Sequence, residues 1–281
     1  MIGDITGRDK GKAIQELEIQ AFRNNNLHTL QDQVAVEEPL EIQIVTSLNG
    51  KRERHSLAVT MRTPGHDTEL ALGFLLTENV IADRDWIQDA SQKTPGAELC
   101  NIVRIYLKEG APFDAEKHSR HVFTSSSCGI CGKQTIEQIK ANNLSNPIAT
   151  RPISPETLLS LPKKLRESQA VFDNTGGLHA SALFSSEGQL LLTREDVGRH
   201  NALDKLIGNL FLNHALPASD TVLMLSGRLS FELVQKAVFA GIPTIAAVGA
   251  PSSLAISMAR ECGVSLYGFL RDGRFNRYSG F

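Results

Sequence analysis

Two rhythms of apolar residues follow one another along the chain. From Leu40 to Ser47 the apolar positions Leu40, Ile42 and Ile44 alternate with Glu41 and Gln43, and after Leu48-Asn49-Gly50-Lys51 a second run carries Leu57, Val59 and Met61. A period of two marks a half-buried strand, and Asn-Gly between two such runs is a strong hairpin signal. Arg62-Thr63-Pro64-Gly65-His66-Asp67 breaks the sheet, and Asp67 or Thr68 is placed to cap a helix carrying Leu70, Leu72, Phe74, Leu75 and Leu76 as far as Asn79. Residues 101–108 read as a further strand. Residues 1 to about 30 show only a short apolar pattern at Ile14, Leu17 and Ile19 beside Asn24-Asn25-Asn26, which predicts a loose or partner-dependent arm.

A proline-rich joint, Asn146-Pro147 through Arg151-Pro152 to Ser154-Pro155, marks a boundary, and beyond it the rhythm changes. A helix over roughly 155–168 leads to the turn Thr175-Gly176-Gly177. Strands at Ala180–Phe184 and Leu190–Thr193 are joined at Glu187-Gly188, and a helix follows at about Ala202–Phe211. Strands at 221–225, 244–248 and 265–270 then alternate with helices at 231–239 and 253–259, the order of a sheet covered by helices with parallel crossovers. The chain thus divides into an arm (1–30), an α+β domain (31–150) and an α/β domain (151–281), an α/β protein as a whole.

Composition narrows the functional classes. At 281 residues, 41% hydrophobic and 21% charged, the chain is an ordinary globular protein, and a formal net charge of −2 gives no electrostatic reason to expect nucleic acid as a partner. No run of about 18 apolar residues suits a membrane span, and the N-terminus lacks the layout of a signal peptide, so the expected location is the cytoplasm. In a reducing compartment the four cysteines read as chemistry or core packing rather than a disulfide framework.

The densest chemistry is Ser127-Cys128-Gly129-Ile130-Cys131-Gly132-Lys133, two thiols in a glycine-flanked turn ahead of the helix-like run Gln134–Lys140. A helix N-terminus and a nearby lysine both favour a thiolate. Three chemistries fit: half a zinc site, a dithiol redox centre, or a nucleophilic thiol that carries sulfur. A structural zinc normally takes four ligands, and Cys100 and Cys262 are lone residues in apolar contexts, so no metal is expected. A thioredoxin-type pair would follow the first strand of a compact βαβ unit. Thiol chemistry such as sulfur transfer stands ahead.

Ligands of such a sheet bind outside the carboxyl ends of the strands, where turns present free N–H groups. Two junctions have the composition for it. Ser226-Gly227-Arg228-Leu229-Ser230 offers hydroxyls, a flexible glycine and a guanidinium, and Val248-Gly249-Ala250-Pro251-Ser252-Ser253 is small enough for close approach. Neither is a Walker A loop or G-x-G-x-x-G, and two ordinary serine-capped helices would look the same. A third polar run, Arg194-Glu195-Asp196-Val197-Gly198-Arg199-His200-Asn201, precedes an amphipathic helix; His200 and His179 are each more often a hydrogen-bonded structural histidine than a catalytic base.

Taken together, these stretches resemble the formate dehydrogenase accessory sulfurtransferase family, FdhD/NarQ-like, from about Val36 to Tyr278. The residues that carry the likeness are Glu38-Pro39-Leu40, Met61–Asp67, Ser127–Lys133, Thr175–Ala180, Arg194–Lys205, Ser226–Lys236 and Ala250–Leu254. The resemblance implies a persulfide carrier between a cysteine desulfurase and the molybdenum cofactor, in its bis-guanine-dinucleotide form, before that cofactor enters formate dehydrogenase. It also implies a second domain similar to cytidine deaminases, and it assigns sulfur to Cys128 with Cys131 assisting. The phosphates of the dinucleotide would meet Ser226, Gly227, Arg228, Ser252 and Ser253 together with the closing segment Phe269-Leu270-Arg271-Asp272-Gly273-Arg274. A homodimer would suit a cofactor with two nucleotides. A zinc deaminase lacks its H-x-E here, since His179-Ala180-Ser181 and His200-Asn201-Ala202 have no glutamate. A non-enzymatic cofactor-binding chaperone is the other alternative, and a persulfide trapped on the thiols separates it from a carrier.

Overall fold

The structure, a computed structural model, describes residues 13–91, 101–115, 152–271 and 273–280, so Cys128, Cys131 and Asp272 lie outside the described residues. The stretch expected to be a loose arm instead forms a hairpin of β1 (Ile14–Arg23) and β2 (Asn26–Ala35), paired along its whole length. Its turn is Asn24-Asn25, both at positive φ (50° and 60°), as a two-residue hairpin loop requires. The alternation that betrays a strand is missing because most of this hairpin faces water. Phe22 and Leu27 sit opposite each other near the tip, 68% and 66% exposed.

The predicted second hairpin consists of β3 (Glu38–Leu48) and β4 (Lys51–Arg62), turning at Asn49-Gly50, again both at positive φ. With β5 (Ile87–Ser91) and β6 (Ile102–Leu107) it makes a four-stranded sheet in the order β4-β3-β6-β5. Helix α1 (Asp67–Thr77) covers this sheet, burying Leu70, Leu72 and Leu75 against Leu40, Ile42, Ile44, Val103 and Ile105. The cap expected from Asp67 or Thr68 is not made: the N-cap is His66, at φ 58° and without a side-chain bond. Asp67 is committed elsewhere, accepting from Arg62 Nη2 at 2.8 Å and Nε at 3.1 Å, both side chains buried.

The second half builds a six-stranded sheet, β12-β11-β10-β9-β7-β8. Its strands are β7 (His179–Ser185), β8 (Leu190–Asp196), β9 (Thr221–Leu225), β10 (Thr244–Ala247), β11 (Ser265–Arg271) and β12 (Arg274–Ser279). The central β9, β10 and β11 are parallel, and the others run antiparallel to their neighbours. Alternate residues of β9 feed two cores. Val222 and Met224 meet helix α2 (Pro155–Glu167) on one face. Leu223 and Leu225 meet α4 (Arg199–Leu212), α5 (Phe231–Phe239) and α6 (Ser253–Glu261) on the other. The short α3 (Ala170–Thr175) follows α2 and packs on β2. The result is a three-layer α/β/α arrangement. No helix among the described residues is long and apolar enough to cross a membrane.

Helix α1 crosses α4 backbone to backbone. A Cβ on Gly73 would lie 1.9 Å from the Asp204 carbonyl oxygen, and one on Gly208 1.8 Å from that of Glu69, so only glycine fits either position. Around this crossing lie most of the charges that the sequence concentrates at 194–205. Lys205 pairs with Asp196 at 2.7 Å, Lys236 with Asp204 at 2.9 Å and Arg194 with Glu69 at 2.6 Å. Asp196 also accepts from the backbone N–H of Thr63 and Gly198, and Lys205 donates to the Thr63 carbonyl. This polar run is therefore a buried seam that joins the two halves, with Arg199 and His200 left at its open end.

Candidate functional site

Strands β9, β10 and β11 end on one edge, where β7 begins. The turns after β9 and β10 are laced together there. Gly249 N donates to the Gly227 carbonyl at 3.1 Å, Leu229 N to Ala250 at 3.0 Å, and Ser252 N to Leu229 at 2.9 Å. Gly249 permits this approach: a Cβ at that position would meet the Gly227 oxygen at 2.7 Å. The third predicted segment joins through Phe269, whose N–H donates to the Gly249 carbonyl at 3.2 Å from a left-handed conformation, φ 58°.

The fold thus gathers Ser226, Gly227, Arg228, Ser252 and Phe269 at one edge, and it divides their tasks. Ser226 Oγ accepts from Ala180 N at 2.8 Å, tying the turn to β7. Ser252 Oγ accepts from Ala255 N at 3.2 Å, the ordinary cap of α6, and Ser253 is the exposed first residue of that helix. Leu270 is fully buried in the core under α2, so only its backbone is available to a ligand. Arg271 and Arg274 face each other across the β11–β12 turn at Gly273, both exposed.

The edge is cationic although the chain as a whole is slightly acidic. Helices α4 and α5 both start here, at Gly198 and Ser230, and neither N-cap makes a side-chain bond, which leaves backbone N–H groups for an anion. Arg199 begins α4, and its buried Nε has no hydrogen-bond partner. His179 is held below the usual histidine range, first by burial and then by the positive charges of Arg199, His200 and Arg228, with Asp196 opposing them. That carboxylate already serves Lys205.

His200 Nε2 lies 3.2 Å from Ser230 Oγ and 2.9 Å from Glu232 Oε2, and its hydrogen bond holds the Glu232 carboxyl below the usual range. Both partners use the same ring nitrogen. A serine–histidine–acid relay divides them between the two nitrogens, so these three groups do not form one. Beside His179 a cleft of about 480 Å³ opens toward α2 and α3. Among the described residues no three His, Cys, Asp or Glu side chains are grouped to hold a metal ion.

The sequence reading missed Glu232 and the orphaned Arg199 Nε. His200 and Ser230 stand 30 positions apart and come together only because two parallel crossovers start on the same edge, so no local spacing announces them.

Comparison with known proteins places these observations in context. The chain matches the model of the FdhD/NarQ family over residues 35–281. A sulfur carrier protein FdhD of Streptomyces avermitilis is 46% identical over 276 residues, 96% of this chain and 95% of the relative. That of Mycobacterium tuberculosis is 42% identical over 279 residues, 96% and 98% of the two chains. A crystal structure from Desulfotalea psychrophila, described as a candidate formate dehydrogenase accessory protein, superposes with a TM-score of 0.70 at 23% identity, covering 95% of this chain and 97% of the other.

Proposed function

The chain belongs to the FdhD/NarQ family, and from that premise we propose that it is a sulfurtransferase serving formate dehydrogenase. It takes persulfide sulfur from a cysteine desulfurase and passes it to the molybdenum cofactor, in the bis-guanine-dinucleotide form, before that cofactor is inserted. Its relatives are named sulfur carriers, and the superposed structure is described as a formate dehydrogenase accessory protein. In the loading step the Cys128 thiolate attacks the terminal sulfur of the donor's persulfide. One S–S bond forms on Cys128 as the donor's breaks, the donor leaves as a thiolate, and nothing is oxidised overall. Cys131 assists, and a lysine adjacent in sequence, Lys133, favours the thiolate.

The observation that carries the cofactor half of the reading is the cationic edge. Two uncapped helix N-termini, Arg199 and Arg228 converge beside His179 and the laced turns at Gly227 and Gly249, a set suited to a dinucleotide's phosphates. Arg271 and Arg274 lie on the hairpin that continues from it. A homodimer would offer the edge twice, once for each nucleotide, and the three-layer sheet suits a cytidine-deaminase-like assignment for this half.

Intact-mass analysis after incubation with a cysteine desulfurase and cysteine tests the reading. Wild type and Cys131→Ala should gain about 32 Da per sulfur, and Cys128→Ala should not. An undiminished adduct in both variants would remove the sulfur from this pair.

A further inference from the structure

The β1–β2 hairpin is a sheet of two strands, and such a ribbon is only marginally stable in water unless a further strand or a covering layer completes it. Helix α3 packs on β2. Among the described residues β1 pairs with β2 alone, so its other side is an open edge along the whole strand. The register says which backbone groups face out. Val36 N donates to the Ala13 carbonyl at 2.9 Å, so Ala13 and every second residue after it in β1 turn their N–H and C=O toward β2. Ile14, Glu16, Glu18, Gln20 and Phe22 turn theirs outward. An exposed edge of this kind is a template for pairing with another chain.

The side chains along this edge select what can pair there. Glu16 and Glu18 lie exposed on one face, and Leu17, 39% exposed, lies with Ile19 on the other. Asp32, opposite Leu17, adds a further carboxylate, while Arg23 stands apart beside the turn. Gln33 donates to Glu16 at 3.1 Å and, being neutral, leaves its charge in place. In a strand laid against β1, each residue shares the face of the one directly opposite, where unlike charges attract and like charges repel. The complement of Glu16-Leu17-Glu18-Ile19 is therefore basic, apolar, basic, apolar. A second copy of this chain fits less well: a two-fold axis centred on Glu16, Leu17 or Glu18 sets carboxylate against carboxylate.

We propose that the outer edge of β1 is a docking strand for an extended segment of another protein in which basic and apolar residues alternate, bound by strand addition. The hairpin precedes the stretch that matches the family, residues 35–281, which fits a role in choosing a partner rather than in the chemistry at the strand ends. Fluorescence polarisation on the full chain tests it with three labelled peptides as long as β1: alternating Lys-Val, alternating Glu-Val, and a Lys-Lys-Val-Val repeat of the first one's composition. Wild type should bind alternating Lys-Val roughly tenfold more tightly than either of the others, the worth of two cross-strand charge pairs in register. Glu18→Pro removes an outward N–H and no bond of the β1–β2 ladder, and should lose that binding. Gln31→Pro, the same change on the outer side of β2, should bind as wild type. Glu18→Lys keeps every backbone group and should bring the two alternating peptides level. Equal binding of the two lysine peptides would reduce the effect to bulk charge and overturn the proposal. So would binding that survives Glu18→Pro, binding that Gln31→Pro weakens as much, or no binding by wild type. A wild-type dimer in sedimentation that Glu18→Pro dissociates would make a second copy the occupant and overturn it as well.

Discussion

Two clusters of charge adjoin each other near the start of α4, and they are built on different rules. In the seam between α1 and α4, each of four cations has its own carboxylate: Arg62 with Asp67, Arg194 with Glu69, Lys205 with Asp196 and Lys236 with Asp204, at 2.6–2.9 Å. At the strand ends Arg199, Arg228 and His200 gather around His179, Glu232 is bonded to His200, and Arg199 keeps a buried nitrogen unpartnered. Charge that is matched and buried holds a fold together; charge that is gathered and left unmatched is available to a ligand. The polar run 194–201 contributes to both, which is why its density in the sequence could not by itself say which purpose it serves.

The largest expected effect comes from unmatching the seam. Asp196→Ala leaves Lys205 buried without its carboxylate, and urea denaturation should show a loss of about 3–5 kcal/mol. Acid does the same to Glu69 by degrees. Burial raises its carboxyl, but hydrogen bonds from Arg194 and His66 and their charges outweigh this and hold it at about 2 against a usual 4.5. Because the folded value is the lower one, this stabilisation is complete above pH 4.5 and disappears as the pH falls toward about 2, a loss on the order of 3 kcal/mol that Glu69→Gln should abolish from the acid titration. Gly208→Ala drives a methyl into the Glu69 carbonyl and should cost about 1–3 kcal/mol in the same denaturation experiment. Arg228→Ala is the opposite case: exposed at the strand ends, it should change stability by less than about 0.5 kcal/mol while lowering pyrophosphate affinity roughly tenfold by calorimetry. A stability loss there as large as that of Asp196→Ala would erase the distinction between the two clusters.

The parts of the fold most legible in the sequence are those whose apolar positions pack into a core. β9 at 221–225 and α5 at 231–239 were read to the residue, because every apolar position in them answers to a buried neighbour. The β1–β2 hairpin and β12 are not legible, the first because most of its residues are exposed and the second because its edge residues are mostly exposed. The strand-end turns were visible as composition, and the fold brings them together.

A pulse–chase with radiolabelled cysteine joins the two halves of the account. The full chain is loaded by a cysteine desulfurase, freed of donor and substrate, and then offered the guanine-dinucleotide molybdenum cofactor. The account predicts that label leaves the chain and appears on the cofactor in equal amount, that Cys128→Ala never loads, and that Arg228→Ala loads normally but discharges slowly. Label that stays on the chain in the presence of cofactor, or that reaches the cofactor as fast with Cys128→Ala as with wild type, would contradict it.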